Sequence, residues 1–510
     1  MPLSRWGPMA ESVTTHVPRP RDILSTGIDG LDEILDGGLT RSRLYLLEGT
    51  PGTGKTTVGL QFLLNGVAHG EKGLYVTLSE SADELSFAAG THGWSLDGIE
   101  VYELVNELGL DPDSEQSVLH PSEVELGETV REVIDRVDSL KPQRVVFDSL
   151  SELRLLAQNP LRYRRQILAL KQMFASRKCT VLLLDDGTAD VQLHSIAHGV
   201  IMLEQIRRGF GAARRRLNVL KMRGVKFHGG MHDFVLDTGG VEVFPSLVAN
   251  DHAAKFDMTP ASTGSHELDL LLGGGLAPST NTLLLGPSGV GKTTTAVRCM
   301  LEALDRGDKA TYFLFDEGRQ TMLTRARALG MDLDAHLSSG RLVIDEIEPA
   351  EFSPGEFACR VRGTVETRGA SFVVFDSLNA YIHAMPGEEH LVLQMHELLN
   401  YLNQKGATTL LVLGQHGVIG DVRSDIDLSY LSDGILLFRY FESNGSVRTA
   451  LSVVKSRVNA HERTIRELKL SPIGLQVGAA LTDFQGILSG LPTYDGKVEL
   501  IPGGDAAEAP

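Results

Sequence analysis

The chain has 510 residues, 42% hydrophobic and 22% charged, with 48 Lys plus Arg against 66 Asp plus Glu and a formal net charge of −18. This is more chain than one hydrophobic core organises, and the composition excludes fibrous and fully disordered classes. The acidic balance argues against nonspecific nucleic-acid binding, and three cysteines (Cys179, Cys299 and Cys359) without C-x-x-C spacing argue against a disulfide framework or a zinc site.

Residues 1–18 contain no apolar core of the kind a signal peptide needs, and this stretch is expected to be flexible. Nowhere do about 18 apolar residues run together, so no membrane span is expected and the expected location is the cytoplasm. From residue 19 to residue 245 the sequence predicts a first domain. Its short apolar runs, RLYLLE, GLYVTLSE, RVVFD and CTVLLLD, alternate with longer helical patterns. Continuous Val, Ile and Leu runs fit strands buried on both faces, so the predicted class is α/β, a mainly parallel sheet flanked by helices.

RLYLLE runs into Gly49, Thr50, Pro51, Gly52, Thr53, Gly54, Lys55 and Thr56, with Thr57 behind them, which satisfies G-x-x-x-x-G-K-[ST] ahead of the helix-compatible KTTVGLQFLLNGV. The glycines let backbone N–H groups curl round a polyphosphate, the helix supplies its N-terminal dipole, the lysine reaches the β/γ oxygens and the threonine hydroxyl meets magnesium. ATP and Mg2+ are therefore the expected ligands. Glu80, just past the next strand in YVTLSES, can orient or deprotonate an attacking water or hydroxyl, with helix N-capping as the competing use. Asp148, ending RVVFD, is placed to hold the magnesium or its waters together with Thr56. The basic run RRGFGAARRR, Arg207 to Arg216, reads as a hairpin tip, and with Phe210 as its sole aromatic it makes a poor platform for single strands. Lys221 and Arg223 in LKMRG are either a solvated pair or a trans-acting hairpin that reaches a neighbour's γ-phosphate. Residues 246–260 have no clear period and read as a linker.

The second half then repeats the first. STGIDGLDEILDGGL from Ser25 is echoed by STGSHELDLLLGGGL from Ser262, a shift of 262 − 25 = 237, and Lys55 to Lys292 is again 237. A second domain over 261–490 follows, with runs NTLLLG, ATYFLFDE, FVVFD and ATTLLVLG. Its phosphate loop is Gly286, Pro287, Ser288, Gly289, Val290, Gly291, Lys292 and Thr293, followed by Thr294. Asp376 pairs with Thr293 as the expected metal set, and Lys455 with Arg457 repeats the basic pair. Where the first copy has Ser79-Glu80, the second has two acids, Asp316-Glu317. Where the first has His194 and His198 in LHSIAHGVIML, the second has Ser429 and Asp433 in LSYLSDGILLF. Residues 491–510, ending GGDAAEAP, read as a disordered tail.

The doubled STG…LD…GGL, the two phosphate loops, FDSL twice, LKMRG before the second STG and FQGILSGLPT near the end resemble the KaiC family, the RecA-like clock ATPases of cyanobacteria and their wider bacterial relatives. The likeness runs from about Arg19 to Thr493. It implies two tandem RecA-like P-loop domains, an ATP-dependent homohexameric ring of two stacked tiers, ATP hydrolysis, and autophosphorylation in the second domain. It places the catalytic acids on Glu80, Asp316 and Glu317, and the phosphoacceptors on Ser429 and Tyr430, with Ser432 two residues further on. Signalling-protein partners are implied for such a timing ATPase. Two rival readings remain: a RecA-like recombination ATPase that clamps single-stranded DNA, and a scaffold that ATP merely glues together.

Overall fold

The structure is a computed structural model, and it describes residues 22–104, 121–157, 159–187, 191–207, 213–247, 258–348, 351–383, 391–415, 430–443, 445–471, 474–488 and 493–494. The expected flexible amino terminus, most of the linker, the centre of the basic run, Ser429 and nearly all of the expected tail lie outside these residues. The chain divides into two compact units between Pro245 and Ser246.

Each unit is built on a nine-stranded sheet. Across the first the order is Gly240–Phe244, Met231–Asp237, Arg214–Met222, Gly199–Ile206, Leu44–Gly49, Thr180–Asp185, Arg144–Asp148, Gly73–Thr77 and Ile99–Glu103. The last six of these strands are mutually parallel, and the first three add antiparallel hairpins to one edge. The second sheet has the same plan: Asn281–Gly286 lies between Thr408–Gly414 and Gly434–Ser443, and Ser446–Ser456, Ile465–Ser471 and Gly474–Ala480 form the antiparallel extension. Both are RecA-like arrangements, and the fold class read from the apolar runs holds.

The reason those runs are continuous is visible in their burial. Every residue of Leu44–Gly49, Gly73–Thr77, Arg144–Asp148 and Thr180–Asp185 is buried. Alternate side chains enter different cores, as the two-residue period of a strand demands. Leu44, Leu46, Val145 and Phe147 pack with Val133, Ile167 and Phe174 on one face, while Tyr45, Leu47, Val146 and Leu182 pack with Leu60 and Phe62 on the other. With apolar layers on both sides no residue of a central strand can be polar without cost, except at the strand ends where the site lies.

Two expectations need adjustment. GLYVTLSE and ATYFLFDE end as strands at Thr77 and Leu314, so their acids stand in the loops beyond the sheet. Thr493–Tyr494, assigned to the disordered tail by composition, pairs antiparallel with Phe484–Gln485. Phe484 anchors that pairing in a small core with Phe441, Leu481 and Ile487.

Candidate active site

The two phosphate loops leave the carboxyl ends of Leu44–Gly49 and Asn281–Gly286 and open the helices Lys55–Ala68 and Lys292–Asp305. Gly54 at φ 103° and Gly291 at φ 101° occupy the left-handed region at the helix N-caps, a conformation a Cβ disfavours. Neither cap has a side-chain hydrogen bond, so the first-turn N–H groups stay available to an anion. Lys55 Nζ donates to Gly49 O at 2.6 Å, and Lys292 Nζ donates to Gly286 O at 2.8 Å and Pro287 O at 2.7 Å. Each loop thus folds over its own lysine.

In the second domain Lys292, Thr293, Asp316, Glu317, Arg325 and Asp376 line a cleft of about 570 Å3, within the range of small-ligand sites. Burial lowers the Lys292 ammonium to about 8, against which Asp376 pulls upward. A triphosphate would restore the charged form, because an anion close to an amine raises its pKa. ATP binding to this site at pH 8 to 9 is therefore expected to take up protons. Calorimetry of Lys55→Ala in buffers of different ionisation enthalpy reads this directly, and a binding heat independent of buffer would refute it.

Asp148 ends its strand 92 positions from Thr56 and accepts from Thr56 Oγ1 at 3.3 Å and Tyr75 Oη at 2.6 Å. Asp376 accepts from Tyr312 Oη at 2.6 Å and bonds Thr293. Burial raises both carboxyls above their usual range, partly offset by those hydroxyls and by the loop lysines. A hydroxyl and a carboxylate brought together at a dry strand end are oxygen donors of the kind Mg2+ takes, so the residues present fit that ion. When bound, it would neutralise phosphate charge; Thr56 with Asp148, and Thr293 with Asp376, would hold it.

Glu80 and Glu317 stand just beyond the sheet, next to these carboxylates. Neither caps a helix: Ser81 caps Ala82–Thr91 in a capping box with Glu84, and Gly318 caps Arg319–Ala328 without a side-chain bond. Thr77 Oγ1 fixes the backbone of Glu80 by donating to its carbonyl at 2.8 Å and accepting from its N–H at 3.0 Å. Burial raises the Glu80 carboxyl, and repulsion from Asp148 and Glu84 raises it further. Glu317 is held differently, by Arg325, whose two terminal nitrogens reach its two oxygens at 2.8 Å each. Asp316 is exposed and accepts from Ser377 Oγ, the residue after Asp376.

The basic pairs lie at the other end of each sheet. Gly199 pairs with Met222 and Gly434 with Ser456, at the edge where the central strands begin. Lys221 Nζ donates to Ala197 O at 2.9 Å and Arg223 to Ser195 O at 2.6 Å. Lys455 Nζ donates to Ser432 O at 2.7 Å, and Arg457 meets Asp433 at 3.3 Å and Tyr430 O at 3.4 Å. Ser432 is completely buried and Tyr430 is 55% exposed. Of the run Arg207 to Arg216, residues 208–212 lie outside the described residues; on either side Ile206 pairs antiparallel with Arg214, Arg214 is buried and Arg216 pairs with Asp233 at 3.0 Å.

A model of the KaiC ATPase family matches residues 24–248 and again 261–481. The chain belongs to the KaiC family. Among its relatives are the circadian clock oscillator protein KaiC of Parasynechococcus marenigrum, 27% identical over 94% of this chain and 95% of that one, and its namesake in Acaryochloris marina, 26% identical over 92% and 91%. The circadian clock protein KaiC3 of Synechocystis is 25% identical over 94% and 96%. The phosphate loops are accordingly those of a P-loop ATPase with two ATP-binding repeats. Among the described residues no helix is long and apolar enough to cross a membrane.

Within this KaiC fold the two sites hold residues the sequence reading missed, one pair shared and others not. Tyr75 and Tyr312 are themselves 237 apart, and that register could have revealed them as partners of Asp148 and Asp376. Arg325 carried no such signal, since Ala88 stands at 325 − 237 = 88. Asp186 also escaped: its carboxylate pairs with Lys55 at 3.1 Å and takes a 2.7 Å hydrogen bond from Ser151. Glu48 lies beside Asp185 and Leu285 beside Leu413, so Gly414 occupies the matching place in the second copy.

Proposed function

We propose that the chain is a ring-forming, magnesium-dependent ATPase and autokinase, in which copies stack as a homohexamer and the second domain phosphorylates Ser429, with Ser432 as the alternative acceptor. The observation that carries this reading is the position of Asp433, which follows Ser429 by four residues in the sequence. Asp433 N–H donates to Asn281 O, at the start of the strand whose far end leads to Lys292. Six residues of strand separate the two, roughly 20 Å at about 3.3 Å per residue, too far for a chain to phosphorylate itself from its own loop. Lys455 and Arg457 hold the same edge at Ser432 and Asp433, so ATP presented there by an adjoining copy meets two cations next to the segment that follows Ser429 in the sequence. Its γ-phosphoryl passes to the serine Oγ, the bond to the β-phosphate breaks, ADP leaves, and Asp316 or Glu317 of the donating site takes the hydroxyl proton. The same arrangement lets Lys221 and Arg223 serve hydrolysis in the first tier. A location in the cytoplasm and a signalling or timing role with protein partners complete the proposal.

Phosphopeptide mapping after incubation with magnesium-ATP tests it. Wild type should carry phosphate on Ser429, Ser429→Ala should lose it, and Lys292→Ala should carry none. Phosphate that persists in Lys292→Ala would remove the second loop as donor, and an unmodified wild-type mass would sink the kinase reading. ATP turnover that rises with added single-stranded DNA would instead favour a recombination ATPase.

A further inference from the structure

The strand-start edge of the first domain carries a concentration of positive charge that its counterpart in the second domain lacks. Arg43 precedes Leu44–Gly49, Lys171 lies on the helix Pro160–Ser176, His198 precedes Gly199–Ile206, and Lys221 and Arg223 lie at the end of Arg214–Met222. Arg43, Lys171 and His198 line a cavity of about 210 Å3 whose wall includes Leu44, Phe174 and Cys179. The Nε2 of His198 is buried there without a hydrogen-bond partner. Lys171, Lys221 and Arg223 donate to the carbonyls of Ile196, Ala197 and Ser195, which orients the cations without neutralising them. Among the described residues, no carboxylate forms an ion pair with any of the five.

The energetic consequence follows from Coulomb's law in a partly desolvated place. Burial lowers the pKa of His198 and Lys171, and the surrounding cations lower both further: Arg43, Arg223 and Lys171 act on the histidine, Arg223 and Arg43 on the lysine. Lys221 is lowered in the same way, by burial and then by Arg223 and Lys171. The second domain relieves this internally. Thr280 stands where Arg43 does (43 + 237 = 280), buried Leu399 where Lys171 does (171 + 228 = 399, the shift between Thr180 and Thr408), and Asp433 where His198 does. Asp433 then pairs with Arg457. The first domain substitutes two cations and a histidine for a neutral, an apolar and an acidic residue, and so lacks its own counter-charge.

We propose that Arg43, Lys171 and His198, with Lys221 and Arg223 at the rim, form a binding site for a phosphoryl oxyanion. The guanidinium of Arg43 offers a bidentate face, Lys171 a compact charge, and His198 a donor at the orphaned Nε2 once protonated, a state the anion itself favours. Free inorganic phosphate and the phosphate of a nucleotide on another copy present the same tetrahedral oxyanion. The site goes beyond the proposed function, since the anion could be held with no ring formed.

The probe is inorganic phosphate, titrated calorimetrically into full-length Lys55→Ala, Lys292→Ala, in which both phosphate loops are disabled. One saturable site per chain is expected. His198→Asp, which installs the residue the second domain carries at this place, and Lys171→Met should each weaken it by about tenfold or more, as loss of a charge-assisted bond does. A second arm keeps the loops intact and follows sedimentation with a nonhydrolysable ATP analogue. If the disabled chain binds no phosphate but Arg43→Gln, Lys171→Met abolishes analogue-driven association, the oxyanion belongs to another copy's nucleotide and the site stands. Phosphate binding indifferent to His198→Asp and Lys171→Met, or no effect in either arm, overturns it. Wild type that never associates would count against the ring alone, because the phosphate arm reads this site in the single chain.

Discussion

ATP turnover should fall by about 10²-fold or more in the Glu80→Gln, Glu317→Gln double variant, the lower end of what a positioned general base supplies. Glutamine keeps the shape and removes the base, so binding should survive while chemistry does not. The first-site acid should leave its mark on the pH dependence of its own turnover. Glu80 has its carboxyl raised by burial and by the negative charges of Asp148 and Glu84. It must be ionised to accept a proton, so the first-site rate, read in Lys292→Ala, should decline as pH falls through a pKa above that of an ordinary glutamate. Glu317 is instead held by Arg325 across both oxygens. Unchanged turnover in the double variant would assign the chemistry to other residues.

Lys55→Ala should shift the particle toward monomer with ATP present. If the nucleotide is bound between a phosphate loop and the basic pair of an adjoining copy, binding and assembly are one equilibrium. Saturation 100-fold above Kd then stabilises the assembled state by about 2.7 kcal/mol per site, and losing it weakens each interface about 100-fold. Lys55 is suited to this test because its buried Nζ closes the loop onto Gly49 O and pairs with Asp186, so Ala removes the phosphate contact while the apolar core around Leu60 and Phe62 remains. Size exclusion with light scattering gives the answer. A variant that has lost first-domain nucleotide yet elutes like wild type would show that ATP there does not hold the assembly.

How much of this could be read without coordinates follows from the range of the interactions involved. The phosphate loops, the strands around them and the duplication are local patterns: a glycine at a left-handed N-cap and a doubly buried apolar run are demanded by backbone sterics and by the two covered faces of the sheet. Asp148 and Asp376 were legible because a strand end has one place for a carboxylate. Strand limits were less so, since the strand-like run of GLYVT continues into Leu78, past the strand's last residue Thr77. The antiparallel extension over Arg214–Phe244 was not foreseen, because half-buried edge strands mix polar and apolar residues without the continuous signal of the centre.

By itself the sequence determined that this is a twice-repeated α/β nucleotide-binding chain, and where its two phosphate loops lie. Tertiary structure alone decided which charges meet. Arg325 reaches Glu317 from the helix that follows it, Asp186 reaches Lys55 from just past a strand end 131 residues away (186 − 55), and Arg43, Lys171, His198, Lys221 and Arg223 converge from four segments onto one sheet edge. Electrostatic partnership falls off with distance in space and carries no periodicity along the chain, so it becomes visible only when the sheet has brought those segments together.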